Sequence, residues 1–231
     1  MKRPGTLARL VVTLAVAASF AVAPAADATT YQVQPAGSRV LAVTRRAGFL
    51  RALGHDHVIE GTRLAGSVTW APDAPAEERT PRSLSGEVVI DAAALEIDAP
   101  AARRAAGLGE GPSGDDLDEI RRTFRGPKGL DSGRFGTIRL VLRRAEAAGD
   151  GEGGAVDLAA ITRVVGDLTL HGQTRPITIP VTVGRSGAKL LVRGQTEVRQ
   201  TDFGIKPASV AGGLVKVKDT VEVSFVVLLA E

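Results

Sequence analysis

Cysteine is missing from all 231 residues. That excludes disulfides, thiolate metal sites, a thiol nucleophile and a lipid carried on an N-terminal cysteine. Aromatic residues are scarce, with one Trp, one Tyr and six Phe, so apolar burial falls to aliphatic side chains. There is no Gly-x-Ser-x-Gly elbow, and the serines and histidines stand in no Ser-His-Asp context. Gly107-Leu-Gly-Glu-Gly111 has neither a Walker A lysine nor flanking parallel-sheet signals. No enzyme signature is legible, and the expectation is a binding protein rather than an enzyme. An excess of one charge is also lacking: 29 Lys+Arg are interspersed with 26 Asp+Glu, which gives no basic face for nucleic acid.

Nor is there an apolar run long enough to span a bilayer. Leu10 to Ala23 is 14 residues, against the roughly 20 that a membrane helix needs. With Lys2, Arg3 and Arg9 before it, and Pro24 and the small-residue site Ala26-Asp27-Ala28 after it, this stretch reads as a secretory signal peptide over residues 1–28. Its removal takes Lys+Arg from 29 to 26 and Asp+Glu from 26 to 25, leaving a net charge of about +1. The expected destination is periplasmic or extracellular. Residues 29–231 then form one domain, long enough to bury roughly 70% of its unfolded surface.

Period-2 alternation dominates that domain. Val164, Leu168 and Leu170 oppose Arg163, Asp167 and Thr169, and past a turn at His171-Gly172 the residues Ile177, Ile179, Val181 and Val183 oppose Thr178, Pro180 and Thr182. This is a β-hairpin with one apolar side and a Gly- and Pro-bearing turn. Leu84 to Asp91, Ile138 to Arg143, Leu190 to Arg199 and Val215 to Leu229 repeat the pattern. Shorter candidates lie at Tyr31–Gln34, Val40–Thr44 and His57–Trp70. Together they predict about eight or nine antiparallel strands, packed as a sandwich or closed as a barrel.

The exception runs from Asp98 to Gly136. Residues 115–125 predict a short amphipathic helix, with Leu117, Ile120 and Phe124 on one face, acids first, Arg121, Arg122 and Arg125 last, and Gly126-Pro127 as the stop. Ser113 and Asp116 resemble a capping box. Residues 101–114 are expected to be mobile and the helix to cover one end of the domain. The acids Asp115, Asp116, Asp118 and Glu119 read as a solvated helix start. The arginines, with Arg103 and Arg104, offer an anionic membrane surface a transient contact.

Val165-Gly-Asp-Leu-Thr-Leu-His-Gly172 resembles the most recognisable motif of the YceI-like family of periplasmic proteins. Tyr31-Gln-Val, Arg134-Phe-Gly-Thr-Ile-Arg-Leu140, Asp202-Phe-Gly-Ile205 and Val217-Lys-Asp-Thr-Val221 resemble its other fragments, in order. The Leu53–His57 segment, the long Pro100–Gly114 insertion and the shortage of aromatics depart from it. The resemblance implies an all-β, eight-stranded lipocalin-like barrel that takes a polyisoprenoid or similar long apolar molecule into its interior, with no cofactor, and with the 98–136 excursion gating access. Ligand-lining candidates are then Ile177, Ile179, Val181, Leu190, Val192, Val221, Val223 and Phe225, with Phe124 on the lid. The same side chains would equally fill a solid core, since eight strands lie near the size where either happens. A second reading takes His55, His57 and His171 as a metal site or the centre of a metal-dependent hydrolase. Nothing in the pattern fixes an oligomeric state.

Overall fold

Each alternating segment forms a strand. The computed structural model describes residues 28–49, 52, 54–70, 84–147, 161–210 and 214–231. Residues 1–27 of the expected signal peptide, and Leu53, lie outside the described residues. The strands are β1 (Thr29–Ala47), β2 (His57–Gly61), β3 (Leu64–Trp70), β4 (Leu84–Asp91), β5 (Glu96–Ile97), β6 (Thr137–Ala147), β7 (Ile161–Leu170), β8 (Gln173–Ser186), β9 (Lys189–Arg199), β10 (Ser209–Val210) and β11 (Val215–Ala230). Two helices, α1 (Pro100–Ala105) and α2 (Gly114–Arg125), interrupt them.

Eight strands close a ring in the order β1-β3-β4-β6-β7-β8-β9-β11, with β11 pairing back onto β1. Closure removes the exposed edges that an open sheet would present. Strand β2 extends β3 along β1: Thr29–Gln32 pairs with Ser67–Trp70, and Val40–Thr44 pairs with His57–Gly61. Strands β5 and β10 attach outside the ring, to β2 and β11. A bulge in β1 between Gln34 and Arg39 is satisfied by buried Ser38, whose hydroxyl donates to the Gln34 carbonyl (2.6 Å) and accepts from the Leu228 N–H (2.9 Å).

The β7–β8 hairpin forms in the expected place. His171 (φ 49°) and Gly172 (φ 72°) both adopt the left-handed conformation that a two-residue hairpin turn of matching twist requires. Pro176, the proline expected there, is not in that turn. Pro176 and Pro180 lie within β8, opposite Asp167 and Arg163. They are tolerated because β9 pairs with β8 only from Val181 onward, so one side of this stretch has no ladder to lose.

The excursion departs from expectation in two ways. First, residues 101–114 include helix α1, started by Pro100 at its first turn. Ala102, fully buried, packs with Ala99, Ala106 and Leu108 against Leu41, Val43 and Val58 on the outer wall of the barrel. Second, Ser113 precedes α2 without a side-chain cap bond, so the expected capping box does not form. Gly114 begins the helix at φ +56° and turns the chain so that the hydroxyl does not reach the free N–H groups. Helix α2 otherwise has the expected polarity, with Asp115 and Asp116 first and Arg122 and Arg125 last. Its Ile120 and Phe124 pack against Ile59, Leu95, Ile97, Leu130, Phe203 and Ile205 over one end of the ring.

Between β3 and β4, Gly66 (φ 135°) and Gly86 (φ 128°) bring the two backbones into close approach. A Cβ on Gly66 would fall 2.0 Å from the Glu87 carbonyl oxygen, and one on Gly86 would fall 2.1 Å from that of Ser67. Replacing Gly66 by Ala is expected to cost about 1–3 kcal/mol through backbone strain alone, more if the strands part. Urea unfolding followed by circular dichroism measures it, and an unchanged midpoint would contradict the close approach.

Candidate functional site

The ring encloses a cavity of about 840 Å³, within the roughly 300–1,000 Å³ typical of small-molecule sites. One end is sealed by the cluster of Tyr31, Trp70, Leu84, Leu190 and Leu229. The wall above it is aliphatic, and the other end, under α2, carries the polar lining residues Thr44, Arg46, His55, His57, Asp116 and Lys128, among others. Ile177, Ile179, Val181, Leu190, Val192, Val221, Val223, Phe225 and Phe124 all line this cavity. Ile179, Val181 and Leu190 are buried, and the others are partly exposed to the hollow. An inner wall of Val, Ile and Leu does not reach across the ring, which is why the barrel is hollow.

The three histidines do not meet. His171 donates from Nδ1 to the Phe203 carbonyl (3.1 Å) and its ring lies 4.6 Å from that of Phe135, so both contacts serve the turn. It does not line the cavity, whereas His55 and His57 do, with ring centroids 6.4 Å apart. Among the described residues, no group of three or more His, Cys, Asp or Glu side chains could hold a metal ion. The three-histidine centre is therefore not assembled, because the hairpin turn claims its third member.

His57 belongs instead to a buried polar network that sequence reading missed. Asp98, in a left-handed backbone conformation (φ 52°), has a fully buried carboxylate that accepts from His57 Nδ1 (2.6 Å), from the Val58 N–H (3.1 Å) and from the Arg103 guanidinium (2.5 Å). Arg103 also donates to the carbonyls of Gly109, Asp56 and Glu110, at 2.8, 2.9 and 3.1 Å. This replaces the expected mobility of residues 101–114 with a tether. Burial pushes the Asp98 carboxyl up. The hydrogen bonds from His57, Val58 and Arg103, with the neighbouring charge, outweigh that and hold it below the usual carboxylate range. Asp56 is tied across to β1, accepting from the Arg46 N–H (2.9 Å) and from Arg45 (3.3 Å).

The profile of the YceI-like domain matches residues 31–229, which span the ring. The chain belongs to the YceI-like family. No curated protein gives a significant match. Among solved structures, the chain is similar to Burkholderia cenocepacia BcnA, at 19% identity and TM-score 0.54 over 85% of this chain and 98% of that one. It is also similar to a polyisoprenoid binding domain from Saccharophagus degradans implicated in plant cell wall breakdown, at 16% identity and TM-score 0.52 over 87% and 97%. At these identities the likeness is one of fold.

Within this YceI-like chain, four of the five fragments that carry the resemblance meet at one seam, and Tyr31-Gln-Val33 lies at the opposite end. The Phe135 ring packs on His171 and Gly172, and His171 holds the carbonyl of Phe203. Asp219 accepts from the Thr201 N–H (2.9 Å) and hydroxyl (2.7 Å) and from Arg199 (3.1 Å); these donors, Thr201 first, hold its carboxyl below the usual range. The segment Gln200–Ile205 is thereby fixed beside β8 and β9 where the two strands separate, with Phe203 and Ile205 buried.

Breaking the Asp98–Arg103 pair leaves a buried guanidinium uncompensated, so Asp98→Ala is expected to lose about 3–5 kcal/mol in chemical denaturation. Because the folded state lowers the Asp98 pKa, its contribution is complete above the unfolded value of about 3.9 and is lost as pH falls through the lower folded one. Stability of the unaltered protein should therefore fall more steeply below about pH 4 than that of the variant. Parallel acid limbs would show that Asp98 is not ionised in the fold.

Proposed function

We propose that this protein is a carrier that shields a polyisoprenoid or similar long apolar chain from water, rather than an enzyme. The observation that carries the reading is the cavity of about 840 Å³ inside a closed ring, walled by aliphatic side chains and open toward a polar rim. Each methylene-sized group buried there contributes roughly 0.8 kcal/mol, so a few isoprene units outweigh the ordering costs. The YceI-like profile and the fold shared with a polyisoprenoid binding domain support the same reading. Ile177, Ile179, Val181, Leu190, Val192, Val221, Val223 and Phe225 would contact the chain, and Phe124 on α2 would control access. The signal-peptide pattern of residues 1–28 supports export, to act in the periplasm or outside the cell.

A membrane is the natural source of such a cargo, and the rim has a feature suited to reaching it. Phe49 is 89% exposed and Leu214 46%, and they sit on adjoining loops, with Gly48 against the Leu214 carbonyl and Ala47 paired with Lys216. Arg46, Lys206 and Lys216 line the cavity at this end. An apolar tip flanked by cations fits an anionic bilayer.

Native mass spectrometry of the protein from its own host, followed by organic extraction, should release a prenyl lipid in a 1:1 ratio. The carrier reading fails if the barrel emerges empty and also refuses a C20 prenyl chain added in vitro. Val192→Trp should fill several methylene positions and weaken binding of that chain at least about tenfold while circular dichroism stays unchanged. Phe124→Asp should alter the uptake rate more than the melting temperature; equal loss of both would remove α2 from the access route. Phe49→Ser should reduce sedimentation with anionic vesicles and leave chain affinity in detergent intact.

A further inference from the structure

The aliphatic wall cannot by itself orient a ligand, since methyl and methylene contacts are non-directional. Orientation requires a polar group fixed at the boundary between wall and rim. His57 has that position: it is the first residue of β2, pairs with Thr44, and lines the cavity two residues before Ile59 on the same face. Its ring is also immobilised from behind. A carboxylate only accepts hydrogen bonds, so the 2.6 Å contact places a proton on Nδ1, and in the neutral ring Nε2 is left as an acceptor. Among the described residues Nε2 has no protein partner, and the side chain keeps 18% of its exposure.

The support behind His57 is more elaborate than holding α1 in place requires. Asp98 and Arg103 already balance each other's charge in the interior, and Arg103 already staples the 109–110 segment to Asp56. The second carboxylate oxygen of Asp98 is committed to the imidazole. Its backbone is held at φ 52°, a left-handed conformation that a non-glycine residue keeps where the surroundings demand it. The Asp98 carboxylate thereby fixes a proton on Nδ1 and the orientation of the His57 ring.

We infer that His57, positioned by Asp98 and Arg103, is the head-group site of this cavity, with Nε2 accepting a hydrogen bond from a hydroxyl that terminates the apolar chain. The ligand class is a long-chain alcohol or phenol of prenyl type, bound with its tail toward Trp70 and its hydroxyl at the rim. This rests on the carrier reading above and adds the identity of the head. His55, exposed beside it, and the rim lysines stay in solvent.

The test uses three probes of equal tail length: geranylgeraniol, its methyl ether and geranylgeranyl monophosphate. The unaltered protein should bind the alcohol about five- to tenfold more tightly than the ether, the span of one net hydrogen bond. His57→Leu should erase that preference while changing affinity for the ether less than twofold. In the unaltered protein, nitrogen-15 NMR should show Nδ1 protonated throughout and the Nε2 resonance shifting with the alcohol alone, a readout that survives if the variant fails to fold. Equal binding of alcohol and ether to the unaltered protein overturns the head-group site and leaves the carrier reading standing. Binding of none of the three overturns both. Tighter, salt-sensitive binding of the monophosphate, unaffected by His57→Leu, would transfer the head group to Lys128, Lys206 and Lys216 and overturn the assignment to His57.

Discussion

Everything in this molecule depends on the closure of eight strands around side chains too small to meet. An eight-stranded ring is just wide enough for large inward residues to fill. Among the described residues, the inward positions are held almost entirely by Val, Ile, Leu, Ala and Thr, with Phe225 the one aromatic on the strand wall above the Trp70 end. The chain has one Trp and one Tyr, and it spends both at the sealed end. The scarcity of aromatics is therefore what turns a core into a container.

The polar chemistry is arranged around that container rather than in it. Surface pairs such as Arg139–Glu87 and Arg143–Asp167 run along the outside of the strands, where each contributes little. Two further networks sit at the rim. One, built on Asp98, joins α1 to β2 and fixes His57. The other, through Phe135, His171, Phe203 and Asp219, closes the seam where β8 and β9 part. The first shapes the mouth, and the second keeps the wall continuous beside it.

Much of the barrel was legible because period 2 is a local property: residues 161–170 or 215–230 declare their faces without reference to any partner. The eight strand residues that line the cavity follow from that parity, whereas Phe124 and the polarity of α2 follow from helical spacing and charge order. What was not legible depended on distant surroundings. Leu41 and Val43 point outward yet are buried, because α1 covers them. Six residues of α1 could not nucleate a helix alone and owe it to that packing. Asp98 and Arg103 stand five apart in an unremarkable Ala-rich stretch, and only the fold places a β2 histidine against them. Pro176 suggested a turn because sequence does not reveal that β8 lacks a neighbour on one side there. His171 illustrates the converse. Its place in the turn was readable, but its carbonyl partner, 32 residues away, was not.

The ring is joined by the first and last long strands of the chain, with Gln32 opposite Ala230 and Thr44 opposite Val221. Such pairing is highly non-local, and it cannot form until β11 is available. The hollow thus does not exist on a nascent chain that lacks β11, whose apolar faces remain separate strips. A protein built this way completes its hollow only once β1 and β11 have met, and whatever the hollow holds enters from then on.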